Sequence, residues 1–160
     1  MNRVDRIIRH PGYLDAVKQV KEYEKTRIFC CHQPEHFLDV ARIAYILNLE
    51  ESLNIDKEII YAAALLHDIG RYVQYKDGIP HEKASALIAP KILEDSGFDE
   101  NERGLIVDAI LAHRDWLMAQ KTSLSSVIYR ADKASRACFS CDAETLCDWK
   151  AEKKNLEIRY

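Results

Sequence analysis

Glycine and proline are scarce in this chain, with five and four residues in 160. Folds built on hairpins and tight turns spend far more of both. No run alternates apolar and polar residues in the manner of a half-buried strand, which excludes the sheet classes. No stretch approaches the roughly 18 consecutive apolar residues that span a bilayer. A surplus of one charge is missing too: the net charge is −3, so nothing draws the chain to nucleic acid or an anionic membrane. The first residues, Met1 to Arg6, are charged and lead into no apolar core, so no secretory leader is expected and the chain reads as cytoplasmic. Repeats and low-complexity linkers are also missing. What remains is ordinary globular composition, 48% hydrophobic and 31% charged, enough for one domain over residues 1–160.

The apolar spacing is helical. One amphipathic helix runs from Tyr13 to about Arg27, and a second from Pro34 to about Leu53, opened by a proline in its first turn. Asp56 caps a third, which is apolar all round from Ile59 to Leu66 and therefore belongs at the centre. Gly70 fits as its C-cap, and the loop around Asp77, Gly78 and Pro80 is the clearest turn signal. Further helices cover His81 to Asp95, with a kink expected at Pro90, then Glu100 to His113 and Leu124 to Ala137. A short helix from Ala143 to Lys153 is an open reading. The fold class is all-α, a single-domain bundle of about six or seven helices.

Chemistry concentrates where that central helix ends. His67 and Asp68 follow an unbroken apolar run, and an ionised carboxylate there must shift its pKa, pair, or bind a metal. His36, His81, His113 and Asp132 each sit on or beside an inward helical stripe. A lone histidine on an apolar face is ordinarily a hydrogen-bonded core residue, and a lone buried aspartate a cap or an ion-pair partner. Four of six histidines and two aspartates at the apolar ends of separate helices are not explained that way. Neutral imidazole and carboxylate suit borderline divalent metals: iron, manganese, cobalt, nickel or zinc. His32 precedes His36 by four residues and is a further candidate ligand, although Pro34 starts the helix after it.

This order of residues resembles the HD-domain superfamily of metal-dependent phosphohydrolases. The likeness is carried by His36 to Arg42, Ala63 to Arg71, His81 to Ser85, Ala109 to Arg114 and Tyr129 to Lys133. It covers a metal-binding core of about 30–137 and leaves a cysteine-bearing segment, 138–160. The spacing is similar to that of the bacterial diadenosine-tetraphosphate-hydrolysing branch. No Gly-Tyr-Pro motif follows, so the cyclic-di-GMP phosphodiesterases are not supported, and the large insertions of the deoxynucleotide triphosphohydrolases have no room. The resemblance implies two divalent ions, with magnesium added to the metals above. His36, His67 and Asp132 would hold one ion, His81 and His113 the other, and Asp68 would bridge them. A water between two such ions would lose its proton near neutral pH and attack phosphorus. Arg71 and Lys133 are candidate catalytic cations and, with Arg114, candidate substrate contacts; Arg136 is a further one. Glu35 and Asp39 stand beside His36 and could orient ligands.

The expected activity is hydrolysis of a small phosphorylated molecule, a nucleotide or dinucleoside polyphosphate. A nucleotide-sensing module with little turnover is the alternative, and a homo-oligomer stays open. The five cysteines support two readings. Cys138, Cys141 and Cys147 with Cys30 or Cys31 could hold zinc or an iron–sulfur group, or all five could be reduced thiols.

Overall fold

The computed structural model describes residues 1–158 and 160. Its described residues form eight α-helices and no strand, as the missing alternation predicts. They are α1 (Asn2–Arg9), α2 (Pro11–Tyr23), α3 (Pro34–Glu50), α4 (Lys57–Leu66), α5 (Arg71–Asp77), α6 (His81–Ser96), α7 (Glu100–Ala112) and α8 (Leu124–Ala134). Short 3-10 turns follow at Trp116–Gln120, Cys138–Ser140, Glu144–Leu146 and Ala151–Lys153. No described helix is long and apolar enough to cross a membrane.

The all-round apolar helix is the hub. α4 touches α1, α3, α6, α7 and α8, and Ile60, Ala62 to Leu66 and Ile69 are buried. Its alanines let neighbours approach closely, while Phe37, Leu93, Ile106, Ile110 and Ile128 close over it from α3, α6, α7 and α8. Each such side chain contributes about 1.5–3 kcal/mol by leaving water. Helix starts follow local chemistry. Asp56 accepts from the backbone N–H groups of Glu58 and Ile59 at 2.8 and 3.3 Å, and Asp99 with Glu102 forms a capping box on α7.

Three expectations need correction. α1 and α5 are additional helices. α1 offers only a narrow stripe, Val4 and Ile7, amid charges, and α5 buries no residue at all. Gly70 is not a left-handed C-cap: its φ is −82° and it caps the start of α5. A glycine stands there because a Cβ would lie 2.4 Å from the Ser85 backbone nitrogen, and its N–H donates to Ser85 Oγ at 2.8 Å. The segment 143–153 makes separate 3-10 turns instead of one helix, since it has no apolar stripe to bury. Pro90 sits inside a continuous α6.

Candidate metal centre

The ends of five helices deliver the six candidate ligands to one point. His36 comes from the first turn of α3, His67 and Asp68 from the turn that closes α4, and His81 from the first residue of α6. His113 caps the C-terminus of α7, and Asp132 lies in the last turn of α8. Their potential ligand atoms form two groups, each within 4.8 Å of one another: His36, His67, Asp68 and Asp132, then Asp68, His81 and His113. Asp68 belongs to both. Its Oδ2 faces His67 Nε2 at 3.4 Å and His36 Nε2 at 4.0 Å, while its Oδ1 faces His81 and His113 Nε2 at 3.0 and 3.4 Å. Asp132 Oδ1 completes the first group, 3.4 Å from His36 Nε2 and 3.8 Å from His67 Nε2.

Hydrogen bonds on the far side of each ring set the tautomers. His67 Nδ1–H donates to Ala64 O at 2.7 Å, and His113 Nδ1–H to Ile110 O at 2.5 Å. His81 Nδ1–H donates to Gln74 Oε1 at 2.5 Å; the same oxygen accepts the His81 backbone N–H, which fixes the amide's orientation. Ser135 Oγ donates to Asp132 O at 2.9 Å, so its oxygen receives His36 Nδ1–H at 3.3 Å. All four rings therefore turn a bare Nε2 lone pair inward, the form that binds metal.

Among polar atoms without a hydrogen-bond partner are His36 Nε2, His67 Nε2, both Asp68 oxygens and Asp132 Oδ1. The Nε2 atoms of His81 and His113 face each other at 3.1 Å. Buried lone pairs pointing at lone pairs and carboxylates repel unless a cation lies between them. The donor set thus fits divalent metal. Burial works against the charge on Asp68, but the Arg71 guanidinium, 3.2 Å from its Oδ2, helps hold the carboxyl well below the usual carboxylate range. Lys133 does the same for Asp132.

A fifth ring reaches the same place. His32 is buried in the α2–α3 connector, with Nε2 3.6 Å from Asp68 Oδ2, outside both groups of ligand atoms. Glu24 holds it from behind, accepting Nδ1–H and the backbone N–H at 2.6 Å each, and Tyr75 OH donates to Glu24 Oε1 at 2.7 Å. Glu24, Gln74 and Tyr75 escape sequence reasoning because they read as polar residues on helix surfaces. Only their hydrogen bonds to the buried histidines and to one another mark them. Burial pushes His32 down to about 4, so it is neutral near pH 7. Between that value and the ordinary 6.5 the unfolded chain binds the proton and the folded chain does not. Metal-free protein should therefore lose up to about 3 kcal/mol of stability as pH falls from roughly 6.5 to 4. The losses from Asp68 and Asp132 come only at lower pH, through their depressed values. Urea unfolding in chelator across that window checks this, and His32→Phe should flatten the dependence.

The cations divide. Arg71 Nε is 3.2 Å from Asp68 Oδ2, and Lys133 pairs with Asp132 Oδ2, its side chain 33% exposed. Arg136 stands 3.7 Å from Asp132 Oδ1 and stacks on Trp149. Arg114 instead pairs with Glu82 at 3.4 Å and is half-exposed. Asp39 pairs with Arg42 on the outer face of α3, and Glu35 is exposed; the orienting role goes to Ser135, Gln74, Glu24 and backbone carbonyls.

Comparison with known proteins agrees with this geometry. Over its full 160 residues the chain is 46% identical to an uncharacterized protein of Clostridium beijerinckii, covering all of both. It is 30% identical over 122 residues to Ribonuclease Y 1 of Pediococcus pentosaceus, which is 76% of this chain and 21% of that one. Ribonuclease Y of Acetivibrio thermocellus is 33% identical over 123 residues, again 76% and 21%. The chain thus spans about a fifth of those ribonucleases. No solved structure matches. The model of the HD domain matches residues 35–137, which begins just before His36 and ends just past Asp132. That match takes in well over half of the chain and all six inward-facing candidate ligands, so this protein belongs to the HD domain family.

Proposed function

We propose that this protein is a metal-dependent phosphohydrolase with a binuclear centre, acting on a small phosphorylated substrate such as a nucleotide or dinucleoside polyphosphate. One observation carries the reading: Asp68 offers a separate oxygen to each of two groups of bare imidazoles. Two divalent ions held by these residues would supply Lewis-acid activation of water and of a phosphoryl oxygen. The chain's own groups do the rest. His67, His81 and His113 keep their Nδ1 protons on carbonyl oxygens and so stay in the ligating tautomer throughout a cycle. Asp68 and Asp132 stay ionised, which keeps the ligand set anionic in a buried site. Lys133, the more exposed cation, can leave Asp132 and meet the charge that builds on the phosphoryl oxygens. Arg71, more deeply set, keeps its charge beside Asp68. The relatives named ribonuclease Y suggest phosphodiesters as a second bond class for the same groups.

The test is a substrate panel with Mn²⁺ or Fe²⁺: mononucleotides, dinucleoside polyphosphates, short oligoribonucleotides and simple phosphate esters. Hydrolysis of at least one class supports the reading. Binding without turnover across the panel favours the sensing module instead. Lys133→Ala should lower kcat by about 10²-fold while leaving metal content unchanged, because one charge-stabilising donor contributes about that much. Metal analysis beside the kinetics separates a lost cation from a lost ion.

A further inference from the structure

The cysteines that the metal centre leaves unused converge. Cys30 from the α2–α3 connector and Cys138, Cys141 and Cys147 from the C-terminal segment line a single cavity of about 160 Å³, with Glu144 and Lys154 in its wall. Cys31, next to Cys30, does not line it; its thiol points to Phe29 O at 3.5 Å. All five thiols are free. The 3-10 turn at Cys138–Ser140, closed by Cys141 N–H donating to Cys138 O at 3.3 Å, brings the C-x2-C pair to one side.

The segment around this cavity has little else to hold it. Among its described residues from 138 onward only Ala143 is a buried apolar side chain, while Phe139, Leu146, Leu156 and Ile158 are each at least half exposed. It is tied down by a few polar contacts: Asn155 Nδ2 donates to Lys133 O and Arg136 O at 2.6 and 3.0 Å, and Phe139 N–H donates to Asn155 O. Segments below ~40 residues that bury so little need disulfides or metal to stay ordered. Without a disulfide, a thiolate-held metal is the remaining staple.

Spacing decides which kind. A tetrahedral zinc with ~2.3 Å bonds draws its sulfurs to about 3.8 Å of one another. No three of these sulfurs lie mutually within 4.8 Å. The cavity they line together with Ile28, Phe29 and Ala137, about 160 Å³, is far larger than the ~10–15 Å³ that a single water-sized group needs. We propose that Cys30, Cys138, Cys141 and Cys147 ligate an iron–sulfur cluster that staples the C-terminal segment to the connector. The Lys154 ammonium lies in the cavity wall, donating to Glu144 O at 2.9 Å and pairing with the Glu144 carboxylate at 2.7 Å. The staple joins two parts of the HD centre, since Cys30 lies two residues before His32 and Cys138 six residues after Asp132.

The full chain, purified without oxygen and without chelators, should carry visible thiolate-to-iron absorption and acid-labile sulfide. Both should be lost in Cys30→Ser, Cys138→Ser, Cys141→Ser and Cys147→Ser, and kept in Cys31→Ser. Sulfide separates cluster iron from HD-centre iron, so Asp68→Ala should keep the sulfide while it loses HD metal. Circular dichroism checks that each serine variant keeps its helices. Thiol-dependent zinc without sulfide would overturn the cluster, and intact protein with no thiol-dependent metal or sulfide would overturn the site.

Discussion

Asp68→Ala should cost this protein metal in both ligand groups and lower hydrolysis by about 10³-fold or more. The size follows from what the ions supply: several kcal/mol of transition-state stabilisation at ~1.4 kcal/mol per tenfold. The location of the residue makes the loss double. Each carboxylate oxygen faces a different set of imidazoles, so no other ligand can replace it at both. His81→Ala should behave differently, removing one ligand of one group and leaving His36, His67, Asp68 and Asp132 complete. Metal content and kcat measured on both variants separate the two outcomes. Equal losses in the two would mean that the groups do not act as two sites. Full activity in Asp68→Ala would remove the assigned centre altogether.

Divalent metal should also raise thermal stability strongly. The folded chain has gathered bare imidazoles and two carboxylates that repel one another, and an ion relieves this only in the folded state. At free metal a thousand times the dissociation constant, one site adds about 4 kcal/mol. For a chain of this size that is an increase in Tm of roughly 8–16 °C. Differential scanning with excess Mn²⁺ against chelator reads it directly. The increment should shrink as pH falls, because metal binding needs deprotonated ligands. A chain whose melting ignored both metal and chelator would not contain this centre.

The two halves of the site differed in how far the residues alone exposed them. His36, His67, Asp68, His81, His113 and Asp132 are legible because each interrupts an apolar stripe, and a polar side chain facing inward is costly enough to mark itself. The helices that carry them are legible for the same reason, through the 3.6-residue spacing of Phe37, Val40, Ala44 and Leu47 or of Ile106 and Ile110. The supports are not. Gln74 and Tyr75 lie on α5, which buries no residue and so gives no periodic signal, yet they hold His81 and Glu24. Glu24 ends α2 as an ordinary charged residue until the connector folds His32 onto it. α1 hides for a similar reason, with Val4 and Ile7 alone buried amid charges. The convergence of Cys30 with residues over a hundred positions away is legible only through the resemblance, which brings His36 and Asp132 and so their neighbours together; the choice of Cys30 over Cys31 is not.

The central claim is that Asp68 joins two metal sites. Metal stoichiometry tests it most directly. Protein carrying Cys138→Ser and Cys141→Ser, loaded with Mn²⁺ and freed of excess, should hold two ions per chain. Adding His81→Ala and His113→Ala should reduce that to one. One ion before those changes, or two after them, would contradict the account.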